Sequence, residues 1–144
     1  MLKGIDPIVT PELLSVLARM GHGDTLAVVD RNYPAHSTGL EVVAMPGVDT
    51  TRLAAALFAL LPVDTFIETP LARMLPVDDP DGELPVQVEF IAAAEQAEGR
   101  SIRAEGVERM DFYARARRAF AVVATSEDRP YGCFLVTKGV VFED

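Results

Sequence analysis

Histidine is the side chain best suited to proton transfer near neutral pH, and the chain contains two, His22 and His36. His22 stands between Gly21 and Gly23, just after a segment with helical spacing, so the backbone can approach a ligand closely there. The C-terminus of a helix favours a protonated imidazole, which makes His22 a candidate proton donor. By spacing alone, a surface histidine in a tight turn is the commoner explanation, with the glycines serving only the backbone geometry.

Three further places carry polar side chains that could contact a ligand. Asp30 closes an apolar strand, and ligands of open α/β sheets bind beyond the C-terminal ends of strands, although aspartate also caps loops. Arg109 precedes a predicted helix and offers a fork of donors for hydroxyl groups, unless it is a solvated surface arginine. Tyr131, Gly132 and Cys133 stand where a turn re-enters a strand, which turn chemistry alone would also explain. Cys133 is a poor candidate nucleophile, because no histidine is near it in the sequence and a buried cysteine is usually inert.

Several reaction classes lack their characteristic motifs. The histidines do not have the spacing of metal ligands, and the sequence contains neither a Gly-x-Ser-x-Gly elbow nor a Walker phosphate loop. The Gly21-His22-Gly23-Asp24 segment opens a strand, whereas the dinucleotide-binding motif follows a strand and opens a helix. A single cysteine excludes an internal disulfide and a site built from several thiolates. We therefore expect no metal and no cofactor.

Composition also limits the partners and the location. With 13 basic and 22 acidic residues, the net charge is −9, which argues against nucleic acid and anionic membranes as partners because both require a basic face. The N-terminus lacks the basic start and apolar run of a signal peptide. The longest apolar stretch, residues 53–61, is too short to span a bilayer. We therefore expect a cytoplasmic protein.

Strands and helices alternate along the chain. Thr10 and Pro11 begin a first helix, in which apolar residues recur at helical spacing up to Met20. Further helices are predicted from a cap at residue 49 or 50 to residue 61, over residues 86–97, and after a cap at Asp111. Strands are predicted over residues 25–30, 41–44, 65–68, 101–104, 120–125 and 133–137. This alternation with short connections indicates a single α/β domain over residues 1–144.

Longer motifs, in a fixed order over nearly the whole chain, are similar to those of a known family. The first of them are residues 1–5, residues 11–24 with the Gly21-His22-Gly23-Asp24 segment, and residues 30–37, Asp-Arg-Asn-Tyr-Pro-Ala-His-Ser. The later ones are residues 60–65 and 68–70, Glu108-Arg109, residues 112–125, Tyr131-Gly132 and residues 138–140. On these motifs the chain resembles the RbsD/FucU family, and within it the L-fucose mutarotase branch.

The resemblance implies a three-layer α/β/α fold with a mixed, largely parallel central sheet, as in RbsD. It implies His22 as the catalytic acid, and Asp30, Arg109 and residues 131–133 as contacts to a monosaccharide. The family usually has asparagine where this chain has Cys133, which leaves the sugar preference open. Family members form rings, commonly decamers of two pentamers with active sites near subunit boundaries, so the resemblance also implies a homo-oligomer.

The implied activity is interconversion of the α and β anomers of L-fucose or a related aldose. Opening the sugar ring requires a proton for the ring oxygen while another leaves the anomeric hydroxyl, so a general acid and a general base suffice. In this interpretation His22 donates the proton, Asp30 orients the sugar or accepts a proton, and Tyr131 is a relay. Two alternatives are a ribose pyranase, which interconverts pyranose and furanose forms, and a non-catalytic sugar-binding ring protein.

Overall fold

The computed structural model describes residues 1–143, and a six-stranded sheet forms their centre. In chain order the strands are β1 (Thr25–Val29), β2 (Val42–Met45), β3 (Leu71–Met74), β4 (Ala104–Val107), β5 (Ala121–Thr125) and β6 (Phe134–Thr137). Across the sheet they lie in the order β2-β5-β1-β6-β3-β4. β6 pairs antiparallel with β1 and β3, whereas the remaining pairs are parallel, so five strands point in one direction and β6 in the other.

Unbroken apolar runs place β1 and β5 in the middle of the sheet. The two strands pair in parallel, with Leu26 opposite Ala121 and Val29 opposite Ala124. Strands covered on both faces bury successive side chains and do not alternate between apolar and polar residues. Residues 26–29 and 121–123 are all buried, which confirms the prediction of an apolar strand between two layers of helices.

Four α-helices and one 3₁₀ turn pack on the sheet. They are α1 (Pro11–Arg19), α2 (Thr50–Phe58), α3 (Pro85–Glu98), α4 (Arg109–Ala116) and the 3₁₀ turn Ala35–Thr38. Thr10 caps α1 and Asp49 caps α2, each through a side-chain oxygen that accepts a backbone amide of the first turn. The predicted cap of α4 at Asp111 is wrong, because the Glu108 carboxylate accepts the first free amides of that helix. Among residues 1–143, no helix combines the length and apolar character needed to cross a membrane.

The helices form one layer on each face of the sheet. α1, α2 and α3 cover one face, where Leu13, Leu53 and Phe90 belong to one buried core. α4 covers the other face with Phe112 and Ala116, which belong to a second core. The expected α/β fold, with three layers and a mixed, largely parallel sheet, is confirmed.

The strand predicted over residues 65–68 is wrong. Those residues form bends, and the observed strand, β3, begins at Leu71, three residues after the predicted strand ends. Ala72, Arg73 and Met74 favour helices by intrinsic propensity, but pairing with β4 on one side and β6 on the other imposes the extended conformation. β4 likewise begins at Ala104, where the predicted strand 101–104 ends.

Candidate functional site

A surface cleft of about 200 Å³ lies at one edge of the sheet. Its lining residues are Asp30, Asn32, Tyr33, Met74, Arg109, Tyr113, Pro130, Tyr131 and Cys133. Four candidates from the sequence analysis, Asp30, Arg109, Tyr131 and Cys133, therefore meet in one cavity. His22 does not line it.

Strand direction explains why these residues converge. Asp30 follows β1, Met74 ends β3, and Arg109 lies two residues beyond β4. Parallel strands present their C-terminal ends at the same edge, which is where open α/β sheets bind ligands. Cys133 directly precedes β6, and because β6 runs the opposite way, its beginning lies at that same edge.

The buried carboxylate of Asp30 accepts hydrogen bonds from two donors. Its Oδ1 accepts the backbone N–H of Asn32 at 3.0 Å, and its Oδ2 accepts the Cys133 thiol at 3.4 Å. Burial, and then the neighbouring Asp30 carboxylate, raises the pKa of the Cys133 thiol well above its ordinary value. The side chain is therefore a neutral thiol that donates to Asp30, which leaves further lone pairs of Asp30 for a ligand.

Aromatic side chains lie beside Arg109 in the cleft. The Arg109 guanidinium carbon is 5.6 Å from the centre of the Tyr113 ring, within the range of a cation–π contact. Tyr113 meets Tyr33 edge-on, with ring centres 5.2 Å apart. Burial raises the pKa of the Tyr33 hydroxyl, so this group stays protonated. The contacts give the exposed Arg109 cation a defined position at the cleft.

Tyr131 has a left-handed backbone, with φ of 63°, which is uncommon for a residue other than glycine. Its hydroxyl accepts the backbone N–H of Val77 at 3.1 Å. Gly132 is buried behind the cleft and does not line it. A Cβ atom at Gly132 would lie 3.0 Å from Cγ of Glu127 and 3.3 Å from Cγ2 of Val86, so a side chain there would push these two neighbours aside.

His22 lies at the opposite edge of the sheet. It precedes β1 whereas Asp30 follows it, and the five residues of β1 at about 3.3 Å each put roughly 17 Å between the two edges. The imidazole is 44% exposed, and its Nε2 lies 2.9 Å from Oδ1 of Asp64, whose side chain is 2% exposed. His36 is exposed on the 3₁₀ turn and does not line the cleft. Within one chain, neither histidine reaches the other candidates.

Asp64 is the partner of His22 that the sequence analysis missed. Burial acts to raise the pKa of its carboxyl, but hydrogen bonds from His22 and from the amides of Phe66 and Ile67 outweigh burial and lower the pKa. An ionised carboxylate thus orients the imidazole through Nε2 and does not engage Nδ1. The pair is separated by 42 residues, so no local spacing could reveal it; the similarity of residues 60–65 to the family was the available signal.

A larger depression of about 480 Å³ lies elsewhere, between α1 and β2. Arg19 and Glu41 form an exposed ion pair there, with 2.9 Å between Nη2 and Oε2. None of the candidate residues lines this depression. The smaller cleft is the better site, because a buried aspartate, an arginine and several tyrosines line one cavity.

Comparison with known proteins identifies the family of this chain. The model of the RbsD / FucU transport protein family matches residues 3–141. The chain belongs to the RbsD/FucU family. The membership that the sequence motifs predicted is therefore confirmed, and it extends over almost the whole chain.

Relatives within the RbsD/FucU family have names and structures that bear on function. The L-fucose mutarotase of Actinobacillus pleuropneumoniae serotype 5b (strain L20) is 42% identical over 140 residues, which are 97% of each chain. FucU from Bifidobacterium longum is 34% identical, with a TM-score of 0.91 over 97% of this chain and 100% of that one. The fucose mutarotase of Streptococcus pneumoniae, solved in complex with L-fucose, is 31% identical, with a TM-score of 0.83 over 98% and 100%. These relatives place the chain among the sugar mutarotases, which are isomerases.

Proposed function

We propose that this protein interconverts the α and β anomers of L-fucose, or of a closely related aldose, by opening and closing the sugar ring. The observation that supports the proposal is the cleft, which Asp30, Arg109 and Tyr131 line together. Such groups suit a ligand rich in hydroxyls, since they supply both hydrogen-bond acceptors and donors. The names of the relatives make L-fucose the first sugar to test.

Anomer exchange requires two coupled proton transfers. A proton reaches the ring oxygen as its bond to the anomeric carbon breaks, and the anomeric hydroxyl loses a proton as its oxygen becomes the aldehyde oxygen. After the aldehyde turns, the reverse transfers close the ring on the other face, so every proton is returned and no cofactor is consumed. In this proposal His22 is the general acid, and Asp30 receives the second proton, either directly or through Tyr131 as a relay.

His22 and the cleft come together, in this proposal, at the boundary between two copies of the chain. His22 adjoins an exposed apolar surface formed by Phe66, Ile67, Val141 and Phe142. Phe66, itself 66% exposed, lies 4.8 Å from the imidazole between ring centres and stacks on Phe142 at 6.5 Å. Exposed apolar surface of this kind is typical of protein–protein interfaces. A homo-oligomer, a decamer of two pentamers by family resemblance, would bury this surface and bring His22 to a neighbour's cleft.

Two predictions from the sequence accompany the proposal: a cytoplasmic location, and no nucleic acid as partner. The cytoplasmic location fits a substrate that is a free monosaccharide. The net charge of −9 makes nucleic acid an unsuitable partner, because the phosphate backbone requires a basic surface.

Saturation-transfer NMR tests the proposed activity directly. The α and β resonances of L-fucose should exchange faster in the presence of the protein than in its absence. Exchange between ribose pyranose and furanose forms, with no effect on L-fucose, would instead identify a ribose pyranase. Sugar binding without faster exchange would favour a non-catalytic sugar-binding ring protein.

Replacing Cys133 with the residue usual in the family should preserve or raise activity toward L-fucose. The thiol supplies one weak donor, which Asp30 accepts, whereas an asparagine amide offers two donors and an acceptor for both Asp30 and a sugar hydroxyl. The measurement is the L-fucose exchange rate of Cys133→Asn beside that of Cys133→Ser, which keeps the size of the thiol. A large loss in Cys133→Asn would mean that the cleft is built for a different sugar.

Asp64→Asn should slow L-fucose exchange by at least about tenfold, a part of the ~10²–10⁴ that a general acid contributes. The change keeps the shape of the side chain but removes the charge that faces Nε2 of His22. Exchange rates of Asp64→Asn and of Asp24→Asn provide the comparison. Asp24 lies in the same turn as His22 but bonds the backbone amide of Gly21, so its variant should keep most of its activity. Equal rates in the two variants would argue against a role for the pair.

A further inference from the structure

Gln87 lies in the first turn of α3, behind the cleft, and its side chain is 0% exposed. It does not line the cleft. Its Nε2 donates to the carbonyl of Met74 at 2.7 Å and to the carbonyl of Tyr131 at 3.0 Å, and its Oε1 accepts from Nη1 of Arg73 at 2.9 Å. Both N–H donors of this buried amide, and one of the two lone pairs of its oxygen, are therefore occupied.

The orientation of the Gln87 amide follows from its partners. A guanidinium can only donate hydrogen bonds, so Oε1 must face Arg73 and the amide hydrogens must face the two carbonyls. The same nitrogen of Arg73 also donates to the carbonyl of Gly82 at 3.0 Å, which fixes the guanidinium. Met74 and Tyr131 both line the cleft. Gln87 therefore links two lining residues through their backbone carbonyls, without lining the cleft itself.

Among the residues that line the cleft, Tyr131 has the backbone conformation that most needs support from neighbouring groups. A left-handed conformation costs a residue with a side chain about 1–2 kcal/mol, so contacts outside the residue must hold it there. Gln87 holds the carbonyl of Tyr131, and the amide of Val77 donates to its hydroxyl at 3.1 Å. The residue is thus held at its backbone and at the far end of its ring.

We propose that Gln87 is a positioning residue, which holds Tyr131 in the left-handed conformation that directs its ring into the sugar cleft. The functional part of this inference rests on the proposed mutarotase activity. Gln87 acts through the Tyr131 backbone and the end of β3, since it does not itself reach the cleft. Its loss should therefore displace the phenol without changing the charge of the site.

The test replaces Gln87 with methionine, which has similar length and flexibility but no amide. The chain has three tyrosines, so ¹³C labelling of tyrosine rings yields three signals, assigned with Tyr33→Phe, Tyr113→Phe and Tyr131→Phe. In Gln87→Met the Tyr131 signal should shift or broaden while the other two stay unchanged. The L-fucose exchange rate at saturating sugar should fall about 10- to 100-fold, as expected for a misplaced catalytic group, with a smaller change in apparent affinity. Gln96→Met, an exposed change on the same helix, should leave both readouts as in wild type.

A folded Gln87→Met protein with an unchanged Tyr131 signal would overturn the proposal. Should the methionine variant not fold, Gln87→Glu serves in its place, because it keeps an acceptor for Arg73 and removes both donors to the carbonyls. An unchanged Tyr131 signal in that variant would overturn the proposal equally. If wild-type protein exchanges no aldose, the mutarotase proposal fails, whereas a Tyr131 signal that moves with Gln87 would still support the positioning role.

Discussion

His22→Ala should slow the exchange of L-fucose anomers by about 10²–10⁴-fold, the usual contribution of a general acid, while the protein stays folded. The imidazole is half exposed and bonded to Asp64, so its removal takes little from the core. NMR exchange rates measure the effect, and circular dichroism with sedimentation checks fold and assembly. His36→Ala is the matched control, because that exposed histidine lies away from the cleft and should be dispensable.

Two inactive variants should complement each other if His22 serves the cleft of a neighbouring copy. One is His22→Ala; the other keeps His22 but carries Arg109→Ala and Tyr131→Phe in the cleft. Random assembly of equal amounts would place an intact histidine beside an intact cleft at about a quarter of the sites. Co-expression with two affinity tags yields mixed oligomers, in which we expect about a quarter of the wild-type rate.

Two results would contradict this arrangement. A folded His22→Ala protein that exchanges L-fucose at the wild-type rate would remove His22 from the mechanism. Mixed oligomers as inactive as either parent would contradict a site shared between copies, since one chain by itself holds His22 and the cleft at opposite edges of the sheet.

Glu127→Gln should lower the free energy of unfolding near pH 7 by about 3 kcal/mol. Glu127 is 1% exposed and lies in the loop between β5 and β6 that also carries Tyr131. Its Oε1 accepts Nε of Arg129 at 2.9 Å, and its Oε2 accepts the hydroxyl of Thr50 at 2.8 Å. A cation and the N-terminus of α2 therefore stabilise this buried charge.

The same carboxyl predicts how stability depends on pH. Burial by itself would raise the pKa of Glu127, but hydrogen bonds from Arg129 and Thr50 outweigh burial and lower the pKa from 4.5 to about 2. A group whose pKa is lower in the folded state contributes stability that is complete above the unfolded value and is lost as the pH falls toward the folded one. The free energy of unfolding of the wild type should therefore fall by about 3 kcal/mol between pH 4.5 and pH 2 because of this group. Glu127→Gln has no such carboxyl and should not show this loss.

Urea unfolding of both proteins over this pH range measures the difference, at one fixed protein concentration because the proposed assembly would also stabilise the fold. Glu89→Gln is the matched control. Glu89 pairs with the same Arg129 at 2.8 Å but is 41% exposed, so its loss should cost less than about 1 kcal/mol. Equal losses in the two variants, or curves for wild type and Glu127→Gln that stay parallel in acid, would contradict the assigned role of Glu127.

Local signals in the sequence located most helices and strands. Thr10 and Pro11 mark the start of α1 because capping acts between residues a few positions apart. β3 was misplaced because its residues carry no local preference for a strand, and its conformation depends on β4 and β6, which lie far along the chain. Glu108 and Asp111 are both acidic and three residues apart, so composition could not decide which of them caps α4.

The order of amino acids was enough to predict the family, the fold class and the four candidate residues that line the cleft, because motifs and apolar runs are properties of neighbouring residues. The grouping of those candidates depended on the folded chain. Asp30 and Cys133 meet across 103 residues because β1 ends where the antiparallel β6 begins, whereas His22 pairs with Asp64 at the other edge. Strand pairing brings distant positions together, and spacing along the chain does not encode which strand ends share an edge.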